Sequence, residues 1–479
     1  MILRVINHPY EFDMKNLCIT FFPHEKIRLE GEEDPVVVTT RRETDGSFFV
    51  SAKVYDVYRE TTAKPEPADE EHLVLSVTLY RLLSGILGFA PPWGVLYGVR
   101  PAKLMHRLCA QMGDNAAVAH FQTAFLTQKS KAELAHEVML HENRSIARSG
   151  PKSFSLYVSI PFCPTRCAYC SFVSHSIEKT HKLMTPYVDL LLRELEETSK
   201  YAKELGLELV TVYFGGGTPT TLSAQDLGRI FSTIEQNFDL SHLMEYTVEA
   251  GRPDTVTRER LEVIRAAGVQ RISINPQSFN DKVLEAIGRR HTAQQTLDAF
   301  ALARDCGFDH INMDFIAGLP EDDLPSFQRS IQTALDLQAE SITVHTLALK
   351  TSAYMVTREQ TFDLKDRLTV SNMVDYAGQT LHGAGYYPYY MYRQSKSLGN
   401  LENVGWCKPG YDCLYNVYMM DETHTVLAVG AGAVTKLRGQ NSGMIERIYN
   451  YKYPYEYIRD FDTLLERKKR IPGFYAEYD

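Results

Sequence analysis

The 479-residue sequence lacks the marks of several specialised protein classes. Its eight cysteines are too few for a fold that is built on disulfides. Hydrophobic residues make up 44% of the chain and charged residues 23%, close to ordinary globular usage. Short-period repeats and low-complexity tracts are absent. These absences exclude disulfide-rich, disordered, collagen-like and coiled-coil proteins, and they predict a globular chain with large cores.

The charge balance and the apolar runs exclude two further classes. Lysine and arginine number 51 against 60 acidic residues, a net charge of −9, which argues against a protein that grips nucleic-acid phosphates. The amino-terminal stretch has no apolar core of the kind found in signal peptides. The richest apolar stretch, 73–90, is interrupted by Arg81 and closed by Pro91 and Pro92. We therefore expect a buried helix there, no membrane span and a cytoplasmic protein.

Composition and periodicity divide the chain into four segments. Residues 1–62 alternate polar and apolar positions with β-branched runs and predict a strand-rich unit. Residues 63–150 carry helical periodicity. Residues 151–390 alternate short apolar runs with helical stretches, and residues 391–479 form a tyrosine-rich carboxyl-terminal segment.

The third segment predicts an α/β fold. Helical stretches alternate with six strand candidates, and such alternation is typical of a parallel sheet with right-handed crossovers. Six units form a partial (β/α)6 barrel of the TIM type, with functional residues at the carboxyl ends of the strands. The strand candidates are 155–160, 209–214, 245–250, 270–275, 311–316 and 341–346, and the helix candidates are 186–205, 224–238, 259–267 and 322–337.

Three cysteines follow the first of these strands. Cys163, Cys167 and Cys170 have the spacing C-x3-C-x2-C on one loop. Three thiolates without a fourth close partner suit a cubane iron–sulfur cluster with one open iron, whereas structural zinc prefers four ligands. The simpler alternative is three reduced thiols on a flexible loop. Among the other cysteines, Cys18, Cys109 and Cys306 are interpreted as buried hydrophobic residues.

The second strand ends in a Gly-Gly-Gly-Thr-Pro turn at 215–219. Glycines let the backbone approach a ligand closely and offer it N–H and C=O groups. Because tight turns also require glycine, the turn alone is weak evidence for a binding site. The cysteine loop on the neighbouring strand end strengthens this interpretation.

These features together resemble the radical S-adenosylmethionine (SAM) superfamily. Further sequences resemble its oxygen-independent coproporphyrinogen III dehydrogenase group, and two segments resemble the HemZ branch of that group. The group sequences are Tyr157-x-x-Ile-Pro-Phe-Cys163, Tyr169-Cys170, Gln277-Ser-Phe279 and Gly318-Leu-Pro320; the branch segments are 93–103 and 392–405.

The resemblance implies cofactors and residue roles. The three cysteines would hold a [4Fe–4S] cluster, and one or possibly two SAM molecules would bind beside it. The implied SAM contacts are Gly216, Gly217 and Thr218 for the amino group, Glu249, Arg289 and Asp314 as further polar contacts, Gln277 as a second SAM-site residue, Ala348 on the adenine side, and Tyr157 and Tyr169 beside the cluster. No catalytic residue beyond these ligands is implied.

Several of these residues have simpler interpretations. Glu249 and Asp314 could form salt bridges with Arg271 or Arg289. Gln277 could be a helix N-cap. His345, at the sixth strand end, could touch substrate, but a lone histidine is more often a core residue, so we leave it out of the site.

Two positions depart from the well-understood branch of the group. Phe172 stands where that branch has a fourth cysteine, and Ser159 stands where it has a histidine. The His-Asn-x-x-Tyr-Trp sequence of the heme-chaperone branch is also absent, with Tyr415-Asn-Val-Tyr418 in its neighbourhood.

The resemblance implies oxidative decarboxylation of coproporphyrinogen III to protoporphyrinogen IX, with a reducing electron donor such as flavodoxin or ferredoxin. The alternatives are a heme-binding or heme-delivery protein that keeps cluster and SAM, and a radical SAM enzyme acting on another tetrapyrrole.

The resemblance implies that residues 391–479 form the carboxyl-terminal lid domain of the family. Tyrosine is concentrated at this end of the chain, where 15 of the 28 tyrosines lie between residues 386 and 479. Flat aromatic rings could wall a tetrapyrrole pocket. Alternating tyrosines at 449–457 fit a half-buried strand better, and 430–433 predicts a close backbone approach at the barrel mouth. Candidate partners for propionates are Arg393, Lys396, Lys408 and Arg438.

Overall fold

A small sheet with two helices forms the amino-terminal unit. The computed structural model describes residues 1–23, 25–98, 100–170, 175–348, 364–394 and 396–479. The unit has the strand order β1-β2-β3-β4, with β1 parallel to β2 and the other pairs antiparallel. The sequence pattern indicated its strands but not its first helix. The elements are β1 (Ile2–Ile6), α1 (Glu11–Phe21), β2 (Val36–Arg42), β3 (Phe48–Val54), β4 (Val57–Ala63) and α2 (Glu71–Leu87).

Three helices, α3 (Pro101–Met112), α4 (Asp114–Thr123) and α5 (Lys129–Ile146), follow this unit. They share the main hydrophobic core with the rest of the chain. Two side chains of this region bind Glu402, which belongs to the carboxyl-terminal half. The indole Nε1 of buried Trp93 donates to Glu402 Oε2 at 2.7 Å, and Lys131 Nζ lies 2.7 Å from Glu402 Oε1. The buried carboxylate of Glu402 thus has a partner for each oxygen, and these bonds connect the helical region to the eleven-stranded sheet.

The central part is the predicted strand–helix alternation. Strands β5, β8, β9, β10, β11 and β12 are parallel and neighbour one another in chain order, which confirms the predicted barrel-type α/β fold. The elements are β5 (Ser153–Ile160), β6 (Phe162–Cys163), β7 (His175–Ser176), α6 (Ile177–Glu204), β8 (Glu208–Gly216), α7 (Ala224–Asn237), β9 (Glu245–Glu249), α8 (Arg258–Ala266), β10 (Arg271–Ser273), α9 (Asp281–Ala286), α10 (Ala293–Asp305), β11 (His310–Ala317), α11 (Leu324–Asp336) and β12 (Ser341–Thr346).

The carboxyl-terminal strands extend the same sheet at both edges. The elements are α12 (Leu364–Gly383), β13 (Tyr387–Arg393), β14 (Glu402–Cys407), α13 (Leu414–Asp421), β15 (Thr425–Val429), β16 (Val434–Arg438), β17 (Ile445–Tyr449), α14 (Pro454–Arg459), α15 (Phe461–Lys468) and α16 (Arg470–Tyr478). The full order is β13-β14-β12-β11-β10-β9-β8-β5-β15-β16-β17. The sheet therefore runs across the predicted boundary at residue 390, and the four-segment division remains a prediction.

The prediction of a strand over residues 449–457 is wrong. Tyr449 ends β17, and α14 begins at Pro454. Proline suits the first position of a helix, and the Glu456 side chain accepts a hydrogen bond from the Tyr453 backbone N–H to complete the helix start. This local capping outweighs the alternating pattern of the tyrosines.

The close backbone approach predicted near Gly430 is present. A Cβ at this glycine would lie 2.5 Å from both the Ser159 carbonyl oxygen and the Tyr187 hydroxyl. Ser159 Oγ donates to the Ala431 carbonyl at 2.7 Å, so the end of β5 is bound directly to the carboxyl-terminal segment. Among the helices of the described residues, none is both long and apolar enough to cross a membrane.

Candidate active site

The three-cysteine loop lies at the carboxyl end of β5. Cys167 is buried, and Cys163 and Cys170 are half-buried. The loop is held against the turn after α9, where the Ala168 N–H donates to the Ile287 carbonyl at 2.9 Å. These contacts hold the loop that carries the three thiols at the strand end where the sequence predicts a site. Phe172, which stands in place of a fourth cysteine, lies outside the described residues.

Arg252, a residue that sequence reasoning missed, touches this loop from β9. Its guanidinium is buried; Nη1 donates to Cys167 Sγ at 3.7 Å and to Thr165 Oγ1 at 3.1 Å. Two bonds of 2.9 and 2.8 Å to Asp254 hold the other side of the guanidinium. A cation so placed lowers the free energy of negative charge on the sulfur. Its only sequence signal was an arginine three residues after the strand-end Glu249.

The glycine turn lies beside the loop and excludes side chains. A Cβ at Gly217 would lie 2.6 Å from the Phe162 carbonyl oxygen, and Gly216 has φ +101°. The N–H groups of Gly217 and Thr218 donate to the Ile160 and Phe162 carbonyls, so the expectation that this turn offers free N–H groups is wrong at these two positions. The Thr218 carbonyl also has partners, since it accepts from the N–H and the hydroxyl of Thr221. A ligand that donates hydrogen bonds, such as an ammonium group, would have to meet the carbonyls of Gly216 and Gly217. Thr218 Oγ1 also donates to Cys163 Sγ at 3.5 Å.

Arg289 and Gln277 lie in the segment that connects β10 to α10. Arg289 Nη2 donates to the Tyr169 hydroxyl at 3.2 Å, and Nη1 donates to the Asn275 carbonyl at 2.6 Å. Gln277 is not a helix N-cap: it has φ +68°, and its backbone forms a bridge to β11 through Asp314 and Ile316. A non-glycine residue in the left-handed region is strained, and such strain is concentrated at functional sites.

Several buried polar atoms beside the cysteine loop lack hydrogen-bond partners within the described ranges. They are Asn275 Oδ1, Gln277 Oε1, Arg289 Nε and both ring nitrogens of His291. Burial, together with the charges of Arg289 and Arg252, lowers the pKa of His291 to about 3. Unpaired buried polar atoms are costly, and a group of them indicates a missing polar ligand. The site therefore fits a bound polar cofactor beside the three thiols.

Two carboxylates lie in the barrel interior at the same end. Tyr213 donates to Glu249 Oε1 at 2.6 Å, and Asn312 Nδ2 donates to Asp314 Oδ1 at 2.7 Å. Neither carboxylate pairs with Arg271 or Arg289 in the described residues, so the salt-bridge alternative does not hold there. Burial raises the pKa of Glu249 to about 7. Burial also opposes ionisation of Asp314, but the electrostatic effects of His345, Asn312 and Arg271 together outweigh it and lower the pKa of this group.

His345, which sequence reasoning left out, belongs to this group. Its Nε2 lies 3.9 Å from Asp314 Oδ2, and its Nδ1 lies 3.2 Å from the Tyr392 hydroxyl. Ala348, the implied adenine contact, follows β12 and forms a backbone bridge with Ser397. Both His345 and Ala348 lie at the carboxyl end of β12. Because β12 is parallel to β11, this is the same end of the sheet as Asp314.

Tyrosine rings fill the barrel beneath the carboxylates. Tyr157 stacks on Tyr213 with ring centroids 6.3 Å apart, and Tyr415 stacks on both, at 5.9 Å from Tyr157 and 4.4 Å from Tyr213. Tyr390 and Tyr392 stack in parallel on β13 at 6.3 Å. Tyr157 is therefore part of an aromatic wall inside the barrel.

The proposed propionate partners are wrong for three of four residues. Arg393 is buried and donates to the carbonyls of Leu96 and Asn400. Lys408 donates to the Gln338 carbonyl and Arg438 to the Thr423 carbonyl, both at the amino ends of parallel strands, opposite to the cysteines. Lys396 is exposed and adjoins the Ser397 bridge at the barrel mouth.

Comparison with known proteins agrees with this geometry. The model of the radical SAM superfamily matches residues 157–334. The oxygen-independent coproporphyrinogen-III oxidase-like protein HemZ of Bacillus subtilis is 34% identical over 470 residues, 95% of this chain and 94% of that protein. The heme chaperone HemW of the same organism is 31% identical over 64% of this chain and 79% of its own length.

A solved structure shows the same fold. Coproporphyrinogen III oxidase (HemN) from Escherichia coli matches with a TM-score of 0.51 and 22% identity, over 68% of this chain and 72% of that one. The cysteine loop, the glycine turn and the near-full-length match to HemZ lead to one assignment. The chain belongs to the radical SAM superfamily, in its group of oxygen-independent coproporphyrinogen-III oxidase-like proteins, on the HemZ branch.

Proposed function

We propose that this chain is a radical SAM oxidoreductase that decarboxylates two propionates of coproporphyrinogen III to vinyl groups, giving protoporphyrinogen IX without oxygen. The observation that carries the proposal is the placement of three thiols, unpaired buried polar atoms and the Glu249–Asp314 pair at one end of a tyrosine-lined barrel. Such an interior can hold a cofactor and a large flat substrate side by side.

The superfamily uses a [4Fe–4S] cluster and SAM, and the residues present fit both. Cys163, Cys167 and Cys170 would hold the cluster. The carbonyls of Gly216 and Gly217 would accept from the SAM amino group, and the polar atoms without partners on Gln277 and Arg289 would meet its other polar groups. When bound and reduced, the pair supplies a carbon radical that removes one hydrogen from the substrate.

The chain's own residues position the substrate and limit its side reactions. In this reaction a propionate β-carbon loses a hydrogen atom. The carbon–carbon bond to the carboxylate then breaks, carbon dioxide leaves, and one electron passes to an external one-electron acceptor, which gives the vinyl group. The stacked rings of Tyr157, Tyr213 and Tyr415 give a flat apolar surface against which a tetrapyrrole can rest. Packed aromatic walls also exclude water, which protects a reactive radical from quenching. Lys396 at the mouth offers a cation to an outer propionate.

Inside the barrel, Glu249 and Asp314 differ in the pKa of their carboxyl groups: that of Glu249 is raised and that of Asp314 is lowered. With a pKa near 7, Glu249 carries a proton for part of the time at neutral pH, whereas Asp314 is ionised. Pairs of carboxyl groups whose environments separate their pKa values are typical of catalytic sites. His345 holds Asp314 in its ionised state and links it to Tyr392.

The proposal includes a one-electron donor of the flavodoxin or ferredoxin type and a cytoplasmic location. A cluster with an open iron needs a reducing compartment and an external reductant. The proposal holds whether one or two SAM molecules bind.

A second candidate is heme binding and delivery. HemW relatives bear the name heme chaperone, and this chain lacks the histidine that Ser159 replaces. The Ser159 hydroxyl donates its proton to the Ala431 carbonyl, so it does not supply the proton donor that a histidine could offer to a substrate. A third candidate is radical chemistry on another tetrapyrrole.

The test is an anaerobic assay of the full-length protein with a reconstituted cluster. SAM, dithionite-reduced flavodoxin and coproporphyrinogen III are added, and 5′-deoxyadenosine and porphyrin masses are followed. Wild type is expected to yield protoporphyrinogen IX with deoxyadenosine, Cys167→Ala neither, and His345→Asn about a hundredfold less product with an intact cluster.

Each other outcome selects a different function. Deoxyadenosine without decarboxylation would keep the radical enzyme and discard this substrate. Stoichiometric heme binding with neither product would favour heme delivery, and a new tetrapyrrole mass would favour the third candidate.

A further inference from the structure

Three potential metal ligands meet in the amino-terminal helices. Cys109 lies in the last turn of α3, Asp114 is the first residue of α4, and His136 lies in the middle of α5. One ligand atom from each, a sulfur, a carboxylate oxygen and an imidazole nitrogen, lies within 4.8 Å of the other two. Cys109, expected to be a buried hydrophobic residue, is only half-buried, as is Cys306.

The local fold brings these atoms together. Gly113, with φ +83°, ends α3 and lets the chain turn at once into α4, so that residues 109 and 114 approach each other across the turn. Helix α5 packs beside both helices and contributes His136. Because the three side chains come from three helices, their meeting is a tertiary arrangement, which i,i+4 spacing on one helix does not produce.

The orientation of His136 favours a shared ligand over a simple ion pair. Its Nε2 lies 3.1 Å from Asp114 Oδ2, yet this buried nitrogen makes no hydrogen bond within the described part of the chain. Two atoms that are close but do not point at each other are expected when both point at a common third atom. In a tetrahedral zinc site, nitrogen and oxygen ligands are about 3.3 Å apart, given bonds of about 2.0 Å.

We propose that Cys109, Asp114 and His136 form a binding site for one divalent transition metal, with zinc as the best match. Thiolate, imidazole and carboxylate are the protein ligands that zinc uses. One position is left for water, since three side chains converge within the described residues. Bound metal links α3, α4 and α5 and stabilises the helical region. The site is separate from the cysteines of the radical SAM loop.

The test uses full-length protein with its iron–sulfur cluster loaded, so that Cys163, Cys167 and Cys170 are occupied by iron. Chelator-treated protein is titrated with Zn²⁺ in competition with a zinc-sensitive dye. Wild type is expected to bind one zinc ion, and Cys109→Ser and His136→Gln each to bind at least tenfold more weakly. Zinc-edge X-ray absorption is expected to show one sulfur near about 2.3 Å with lighter ligands near about 2.0 Å.

The matched control is Cys306→Ser, which removes another half-buried cysteine and is expected to leave zinc binding unchanged. Near-ultraviolet circular dichroism of the zinc-free variants confirms that each is folded, and Zn²⁺ is expected to raise the Tm of wild type but not of His136→Gln. Absence of tight zinc binding in wild type, or its full retention in Cys109→Ser or His136→Gln, would overturn the proposal.

Discussion

Nη1 of Arg252 lies 3.7 Å from the sulfur of Cys167, while Asp254 holds the opposite side of the same guanidinium. If Cys167 binds the proposed iron–sulfur cluster, a buried cation beside its sulfur raises the electron affinity of that cluster. This contact links the end of β9 to the loop after β5, and its effect can be measured without substrate.

Replacing Arg252 by glutamine is expected to lower the reduction potential of the reconstituted cluster. Loss of a charge-assisted hydrogen bond to sulfur disfavours the more negative, reduced state, by about 60 mV for about 1.4 kcal/mol. A redox titration followed by electron paramagnetic resonance measures this shift. Arg258→Gln is the control, because Arg258 contacts the sulfur of Cys306 at 3.8 Å, away from the cluster loop. Equal potentials in wild type and Arg252→Gln would refute the role of Arg252.

Gly217→Ala is expected to weaken SAM binding by more than tenfold and to destabilise the protein by about 1–3 kcal/mol. The added Cβ would lie 2.6 and 2.8 Å from the backbone oxygens of Phe162 and Ile160, so the turn must shift. Isothermal titration with SAM and urea unfolding measure the two effects. Gly228→Ala on α7 meets only the Val263 side chain at 3.7 Å, so it should leave SAM affinity unchanged and raise stability by up to about 1 kcal/mol, the opposite direction to Gly217→Ala. Unchanged SAM affinity in Gly217→Ala would contradict the assigned role of the turn.

Glu249 is expected to make stability depend on pH. Its pKa of about 7 in the folded state exceeds the unfolded value of about 4.3. The folded protein therefore binds a proton that the unfolded chain releases, and this contribution, full below about pH 4, is lost as pH rises to 7.

Replacing Glu249 by glutamine removes the titrating carboxyl group and with it this dependence of the free energy of unfolding on pH. The free energy of unfolding of wild type minus that of the variant should fall by up to about 3 kcal/mol between pH 5 and 8, measured by urea unfolding without SAM. The exposed Glu259→Gln on α8 should give a difference independent of pH. A constant difference for Glu249→Gln would show that its carboxyl group is not perturbed.

Two adjacent lysines should differ sharply in their effect on stability. Lys468 is fully buried and lies 2.8 Å from the fully buried Glu194, which also accepts from Gly430, Asn450 and Tyr457. Lys468→Met leaves this carboxylate uncompensated and should cost about 3–5 kcal/mol of unfolding free energy.

Lys469 provides the control for this pair, because its partner Glu466 is exposed. Lys469→Met should cost at most about 0.5 kcal/mol. Similar losses of unfolding free energy in the two variants would contradict the conclusion that the buried pair of Lys468 and Glu194 stabilises the packing of α15 against α6.

The central fold could be predicted because local patterns determine it. All six strands were placed to within three residues at each end, since a buried parallel strand is an apolar run bounded by turn residues. The thiols and the glycine turn could be predicted because their chemistry requires neighbours in sequence.

Other residues depend on tertiary contacts and were missed or misplaced. Arg252 and His345 are single residues whose partners, Cys167 and Asp314, lie on other strands. Lys408 and Arg438 were taken as partners for propionates because sequence alone does not give the direction of the added strands. At Tyr453–Glu456 local capping reversed a strand prediction.

The central claim is that this chain removes hydrogen from a propionate side chain of a tetrapyrrole. The most direct measurement is isotope transfer under anaerobic turnover, with coproporphyrinogen III deuterated at the propionate β-carbons. The account predicts deuterium in the methyl group of the 5′-deoxyadenosine formed, together with porphyrin that has lost carbon dioxide. Deoxyadenosine without deuterium, from wild-type protein that leaves the porphyrin mass unchanged, would contradict it.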